Sequence, residues 1–388
     1  MLRPLLLLLS VSTPCLTAQE DAAKPPRREV PFTVKADDGV ELRAQLSVPA
    51  NGDGPFPVVF FLHGAGPRVC DNPFRYRDED GQIQVQNYLD FHADELARRG
   101  VAFCRMDKRG CDLDPDTGLL RVDREVFLEV TPSRLLKDYQ SVFEALRERQ
   151  EIDPERVVFW GESEGTWMAP RLARLCDADL AGIIMCGYAA DNVRETVRWQ
   201  FTHGSWRGIC LLFEAASDGE LTEEEYQAAV AKQPGLAAAL PFPQMDTNQD
   251  KVFTEAEMVA LREPLVQAME HAVANGNDEL LLQVLGQHVL ASTYLSEWWD
   301  GEPNVEVLLE LDCPLRIFHG DLDANCRVEG VHEAASVFEE AGKANLAIKV
   351  YPRTDHGLNW SRETAQSGGP EGFRDAFAEV VELVKSSK

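Results

Sequence analysis

Apolar positions along this chain keep two different rhythms. Runs of consecutive apolar residues at 57–62, 157–160 and 180–186 are short and unbroken, the signature of strands covered on both faces, and 314–318 resumes that pattern with Arg316 as its one charged residue. Segments 88–99 and 135–149 space their apolar residues at helical intervals, and Trp167, Met168, Leu172 and Leu175 do the same just after the 157–160 run. Segments 101–106 and 346–351 predict further strands; Val331, Ala334, Ala335 and Phe338 share one helix face, and 372–384 predicts a closing helix. Ahead of these, 30–36 and 40–48 flank Asp37-Asp38-Gly39, where Asp-Gly supplies the positive φ angles of a tight hairpin turn. Strands alternating with helices predict an α/β protein whose mostly parallel sheet is covered by helices on both faces.

The rhythm breaks once. Residues 191–311 are helical in pattern and acidic, with large aromatics at Trp199, Phe201, Trp206, Trp298 and Trp299. They predict a helical lid inserted into a core made of 29–190 and 312–388. At the N-terminus a positive start and an apolar stretch over 4–11 predict a signal peptide at 1–18, too short for a stable membrane span. Residues 19–28, charged and proline-bearing, predict a flexible leader. Export to the periplasm or the cell exterior is therefore expected. It leaves eight cysteines, an even number in a compartment where disulfides persist. Cys104, Cys186 and Cys313 lie in or beside strand patterns, so buried core thiols are the competing reading.

Composition sets bounds. A chain of 388 residues with 44% hydrophobic content can bury a large core, and its net charge of −27 repels phosphate backbones and anionic membranes. Nucleic acid is not an expected partner, and no later segment reads as a membrane span.

The chemistry gathers at three loops. The 157–160 run ends in Gly161-Glu162-Ser163-Glu164-Gly165 before a helical pattern, the context a G-x-S-x-G nucleophile elbow requires. Such a bend exposes its serine at the strand's C-terminal end, and the glycines sit where a Cβ would collide with neighbouring elements. The 314–318 strand leads into His319-Gly320-Asp321-Leu322-Asp323, and the 346–351 strand into Thr354-Asp355-His356-Gly357. Acyl transfer needs a base to take the serine proton and a buried carboxylate to fix the imidazole, for which His356 and Asp323 are the candidates. Asp321 competes with Asp323. The loop His63-Gly64-Ala65-Gly66 can aim backbone N–H groups into a cavity, while His63 and Asp107 read as fold-holding.

Together, "DDGVEL", "FLHGAG", "MDKRG", "GESEG", "HGDLD" and "DHG" resemble exported α/β-hydrolases of the dienelactone-hydrolase, serine-aminopeptidase and acyl-esterase type. The resemblance implies the α/β-hydrolase fold, Ser163 as nucleophile, Asp323 as acid, His356 as base, and an oxyanion hole from the N–H groups of Glu164 and Ala65. Thr166 and Trp167 stand where related elbows continue with small residues, which leaves the substrate class open.

The insertion carries a second pattern. Asp246, Asn248, Asp250, Thr254 and Glu257 stand at positions one, three, five, nine and twelve of an EF-hand loop, with the carbonyl of Val252 at seven and apolar Phe253 at eight. Lys251 replaces the usual turn glycine, at about 1 kcal/mol. Upstream, 218–225 resembles half of a second loop, but with Glu214 as position one Ala216 brings no oxygen to position three. The expectation is an EF-hand-like segment over about 214–257, with Leu221 paired to Phe253 and one structural Ca2+. An acidic helix start capped by Thr222 or Thr254 is the plainer alternative.

The function expected is a secreted serine hydrolase of small-molecule esters or related acyl bonds, with no cofactor for catalysis. A serine peptidase on the same residues, or a calcium-binding interaction protein on an inactive hydrolase scaffold, is the alternative.

Overall fold

The computed structural model describes residues 26–386 apart from 79, 214, 215, 217, 218, 234, 237–239 and 286–290. The expected signal peptide lies outside the described residues, as do Glu214 and Asp218 of the upstream half-loop. The expected leader ends earlier than 28, because Arg27 already belongs to a strand and pairs there with Glu29, Asp90 and Asp94.

Eight strands form the main sheet: β1 (Arg27–Lys35), β2 (Glu41–Pro49), β3 (Phe56–Leu62), β4 (Ala102–Met106), β5 (Ile152–Glu162), β6 (Gly182–Cys186), β7 (Leu315–Gly320) and β8 (Leu346–Tyr351). Their spatial order is β1-β2-β4-β3-β5-β6-β7-β8. β2 runs antiparallel to β1 and β4, and the other neighbours are parallel. The unbroken apolar runs follow from this arrangement, because alternate side chains enter two different cores. Val58, Phe60, Leu62, Val157 and Phe159 pack with helices α2 (Pro132–Arg147), α3 (Gly165–Cys176) and α4 (Val328–Glu340). Val59, Phe61, Val158 and Trp160 pack on the other face with α1 (Tyr88–Arg98) and α5 (Glu371–Ser386).

Two short hairpins, Pro73–Arg77 with Ile83–Asn87 and Cys111–Leu113 with Leu120–Val122, escaped the sequence pattern. Ile83 and Val85 are exposed, so the first hairpin has no clean apolar face to betray it.

Between β6 and β7 the chain builds two satellite cores. One gathers Trp206, Leu221, Tyr226, Phe253 and Met258; the other joins Trp167 and Val193 to Met269, Val273 and Leu281. The end of this segment belongs to the main core instead, since Ala291, Tyr294 and Leu308 pack with sheet residues. All eight described cysteines are free thiols; Cys104 and Cys186 are buried among core residues and Cys313 is half-buried. No described helix is long and apolar enough to cross a membrane.

Candidate active site

β5 runs into α3 through a bend too tight for side chains on its flanks. A Cβ on Gly161 would lie 2.2 Å from the Gly165 carbonyl oxygen, and one on Gly165 2.0 Å from that of Leu62. Between them Ser163 is held at φ +54°, a left-handed conformation that favours glycine and is tolerated here because the surrounding structure imposes it. Its N–H donates to the Cys186 carbonyl at 3.0 Å, and its own carbonyl accepts from the Thr166 hydroxyl at 2.7 Å. Thr166 Oγ1 also accepts from the Ala189 N–H at 3.0 Å, so the residue that departs from the small-residue pattern fastens the elbow to the loop after β6.

The loops after β7 and β8 bring Asp323 and His356 together. Imidazole Nδ1 lies 2.7 Å from Asp323 Oδ2, while Asp323 Oδ1 accepts the N–H groups of Asn325 at 2.7 Å and Cys326 at 2.9 Å. Burial pushes the Asp323 pKa up, but His356 and these bonds outweigh it and hold the carboxyl below its ordinary value. Burial likewise disfavours the His356 cation, yet the charge and hydrogen bond of Asp323 raise its pKa above the ordinary histidine value. An ionised Asp323 requires Nδ1 to donate, which leaves Nε2 free to accept a proton. Asp321 takes no part: its carboxylate accepts from the Thr354 N–H at 3.3 Å. The imidazole packs against Gly187, where a Cβ would stand 2.7 Å from Cε1. Gly187 follows Cys186, whose carbonyl holds the Ser163 N–H, so base and serine border the same stretch of chain.

The His63–Gly66 loop lies against the serine. A Cβ on Gly64 would stand 3.3 Å from Ser163 Cβ. Among the described residues, neither the Ala65 N–H nor the Glu164 N–H is given to an internal acceptor. His63 is buried with Nε2 2.9 Å from the Met106 carbonyl, and burial with the nearby Lys108 and Arg68 charges lowers its pKa, as suits a neutral structural histidine. Asp107 is also structural: it accepts from the Cys70 N–H at 2.6 Å and from Arg43 at 3.0 Å.

Several supporting residues carried no local signal. Glu162 accepts from the Tyr88 hydroxyl, and its Oε1 lies 3.0 Å from Nε2 of the buried His92. His319 accepts the Tyr188 N–H on Nδ1 at 3.0 Å, so its proton sits on Nε2, 3.1 Å from the Cys326 carbonyl of the acid loop. Lys108 reaches Glu164 at 2.7 Å. The pairs His92–Glu162, Tyr188–His319 and Lys108–Glu164 lie 70, 131 and 56 residues apart in the chain, beyond the reach of any motif.

The Asp246–Glu257 loop leads into the helix Glu255–Ala274. Lys251 adopts φ +72° at the glycine position, and Leu221 pairs with Phe253 across the strands Glu220–Thr222 and Val252–Thr254. Asp246 accepts the N–H groups of Asp250 at 3.2 Å and Lys251 at 2.9 Å, and Asn248 accepts that of Asp250 at 2.8 Å. Glu257 forms a capping box with Thr254, so the plainer expectation of a capped helix start is met by the same residues. Its Asp, Asn, Thr and Glu oxygens are of the kind a hard cation takes, while Glu257 Oε2 accepts from the Thr254 N–H and hydroxyl, each at 3.1 Å. Among the described residues, the acid, histidine and cysteine group gathered within 4.8 Å is instead Asp323, Cys326 and His356.

No family model matches the chain. The esterase EstD of Thermotoga maritima is 27% identical over 162 residues, which are 42% of this chain and 34% of that protein. An acylaminoacyl peptidase of Pyrococcus horikoshii superposes with a TM-score of 0.50 at 15% identity, over 93% of this chain and 42% of that one. The α/β hydrolase GrgF of Penicillium sp. sh18 gives 0.49 at 14% identity, over 93% of this chain and 99% of that one. The chain thus spans less than half the length of the first two. Its fold is the α/β-hydrolase fold: the strand order, the parallel sheet between helical layers and the strand-to-helix bend at Ser163 agree.

Proposed function

We propose that the chain is a serine hydrolase that cleaves esters or related acyl bonds of small molecules through an acyl-enzyme on Ser163. The observation that carries this reading is the 2.7 Å bond between His356 and a buried Asp323, beside a serine on a strained strand-to-helix turn. His356 Nε2 removes the proton as Ser163 Oγ attacks the acyl carbon. The N–H groups of Ala65 and Glu164 receive the oxyanion, and His356 returns the proton to the leaving group. Water, activated by the same imidazole, then releases the acid. The test is a rate profile against acyl esters of graded length and aminoacyl amides. Ester turnover that disappears in Ser163→Ala supports the reading; amide turnover alone reassigns the protein as a peptidase, and no turnover at all leaves an inactive scaffold.

We also propose that the Asp246–Glu257 loop holds one structural Ca2+ through Asp246, Asn248, Asp250, Thr254, Glu257 and the Val252 carbonyl. The positive φ of Lys251 and the Leu221–Phe253 pairing support it. Serine acyl transfer uses no metal, so the ion stiffens the inserted segment. Export, proposed from the apolar start of the sequence, would expose the loop to calcium near the millimolar range.

A further inference from the structure

Lys108 is a buried ammonium placed between the two loops that flank Ser163. Both Lys108 and Glu164 side chains are only 4% exposed. Lys108 Nζ donates to the Gly64 carbonyl at 2.8 Å and to Glu164 Oε1 at 2.7 Å. Gly64 immediately precedes Ala65, and Glu164 immediately follows Ser163. The Lys108 backbone N–H donates to the Arg68 carbonyl at 2.9 Å, which fixes the ammonium relative to the same loop. We propose that Lys108 is a positioning residue of the oxyanion hole, whose ammonium ties the two N–H donors into one geometry and cancels the charge of Glu164 beside them. This rests on the serine-hydrolase reading.

Two physical effects carry the inference. An oxyanion hole works by preorganisation, because donors already in place need no rearrangement as charge develops. Ala65 and Glu164 stand on separate segments, and one cation bridges them through a main-chain oxygen on one side and a carboxylate on the other. The second effect is electrostatic. Glu164 buries a negative charge next to the point where the substrate oxygen becomes negative, and an uncompensated like charge would oppose the reaction in a site of low dielectric. Burial holds the Lys108 pKa below the ordinary lysine value, and the charge and hydrogen bond of Glu164 offset only part of that. Lys108 touches no reacting atom in this arrangement; it acts through the hole.

The experiment measures kcat, KM and the affinity for phenylboronic acid, whose tetrahedral serine adduct places an oxygen in the hole. Lys108→Met is expected to lose about 10²- to 10³-fold in kcat and a similar factor in boronate affinity, the scale of removing one oxyanion donor. KM should stay within about threefold, because the interaction serves the transition state rather than the substrate. Should loss of the ammonium beside Glu164 prevent folding, Lys108→Met/Glu164→Gln removes both charges, and replacing a buried pair by neutral groups is generally tolerated. That double variant is expected to remain about tenfold below wild type, since it removes the Lys108 donor to the Gly64 carbonyl. A folded Lys108→Met within about threefold of wild type in kcat and boronate affinity, a loss expressed in KM alone, or a double variant equal to wild type overturns the proposal. A wild-type protein that neither turns over esters nor binds boronate brings down the serine-hydrolase reading itself, and the Lys108 proposal with it.

Discussion

Asp323 and Asp321 stand two residues apart on one loop, and only one of them meets His356. The difference has a pH signature. His356 must be neutral to accept the serine proton, so kcat/KM should rise with pH through its pKa, and Asp323 places that limb above the ordinary histidine value. Asp323→Asn removes the charge that favours the imidazolium. The limb should move to lower pH while kcat falls by about 10⁴-fold. Asp321→Asn should leave the limb where it is. Paired pH–rate profiles check this; a larger loss or a moved limb in Asp321→Asn would reverse the two roles. The sequence left these carboxylates in competition because both follow the same glycine turn. What separates them is a contact with a residue 33 positions away, which no local pattern encodes.

At the scale of elements, the elbow was readable because its constraints are local: strand, two glycines and helix all lie within a short window. The glycines make the claim measurable. Gly165→Ala forces a Cβ against the Leu62 carbonyl oxygen, a backbone atom that cannot step aside, and should lower stability by about 3 kcal/mol or more in denaturant unfolding. Gly208→Ala is the control. Gly208 lies in the helix His203–Leu212 with nothing within 4 Å of its would-be Cβ, so the change should be neutral or raise stability by up to about 1 kcal/mol. Equal losses at both positions would count against the close approach of strand and helix at the elbow. The calcium loop is tested by titration calorimetry of the metal-free protein. Wild type should bind with a dissociation constant of about 10⁻⁴ to 10⁻³ M, and Glu257→Gln should weaken binding by removing its bidentate ligand. Saturating calcium at about ten times that constant should add roughly 1.4 kcal/mol and raise the melting temperature. Identical heats in both proteins, or none in wild type, return the loop to a capped helix start.

Over the whole molecule, the parallel sheet was legible because a strand covered on both faces needs an unbroken apolar run. The rhythm breaks after β6, where the chain forms its two satellite cores. The internal division of this segment was not legible: Ala291, Tyr294 and Leu308 look like the rest of the acidic helical segment, and only their packing under the sheet assigns them to the main core. The same holds for the supports of the candidate site. Lys108, His92 and His319 gain their meaning from chain segments that folding brings near, whereas the serine and the two partner loops each follow a strand end and announce themselves. The central claim is that these loops converge on one nucleophile. Incubation with a fluorophosphonate, followed by peptide mapping, tests it most directly. The expected result is a single mass increment on the peptide containing Ser163, lost in Ser163→Ala and strongly slowed in His356→Ala. Labelling at another residue, or undiminished labelling of Ser163→Ala, would contradict it.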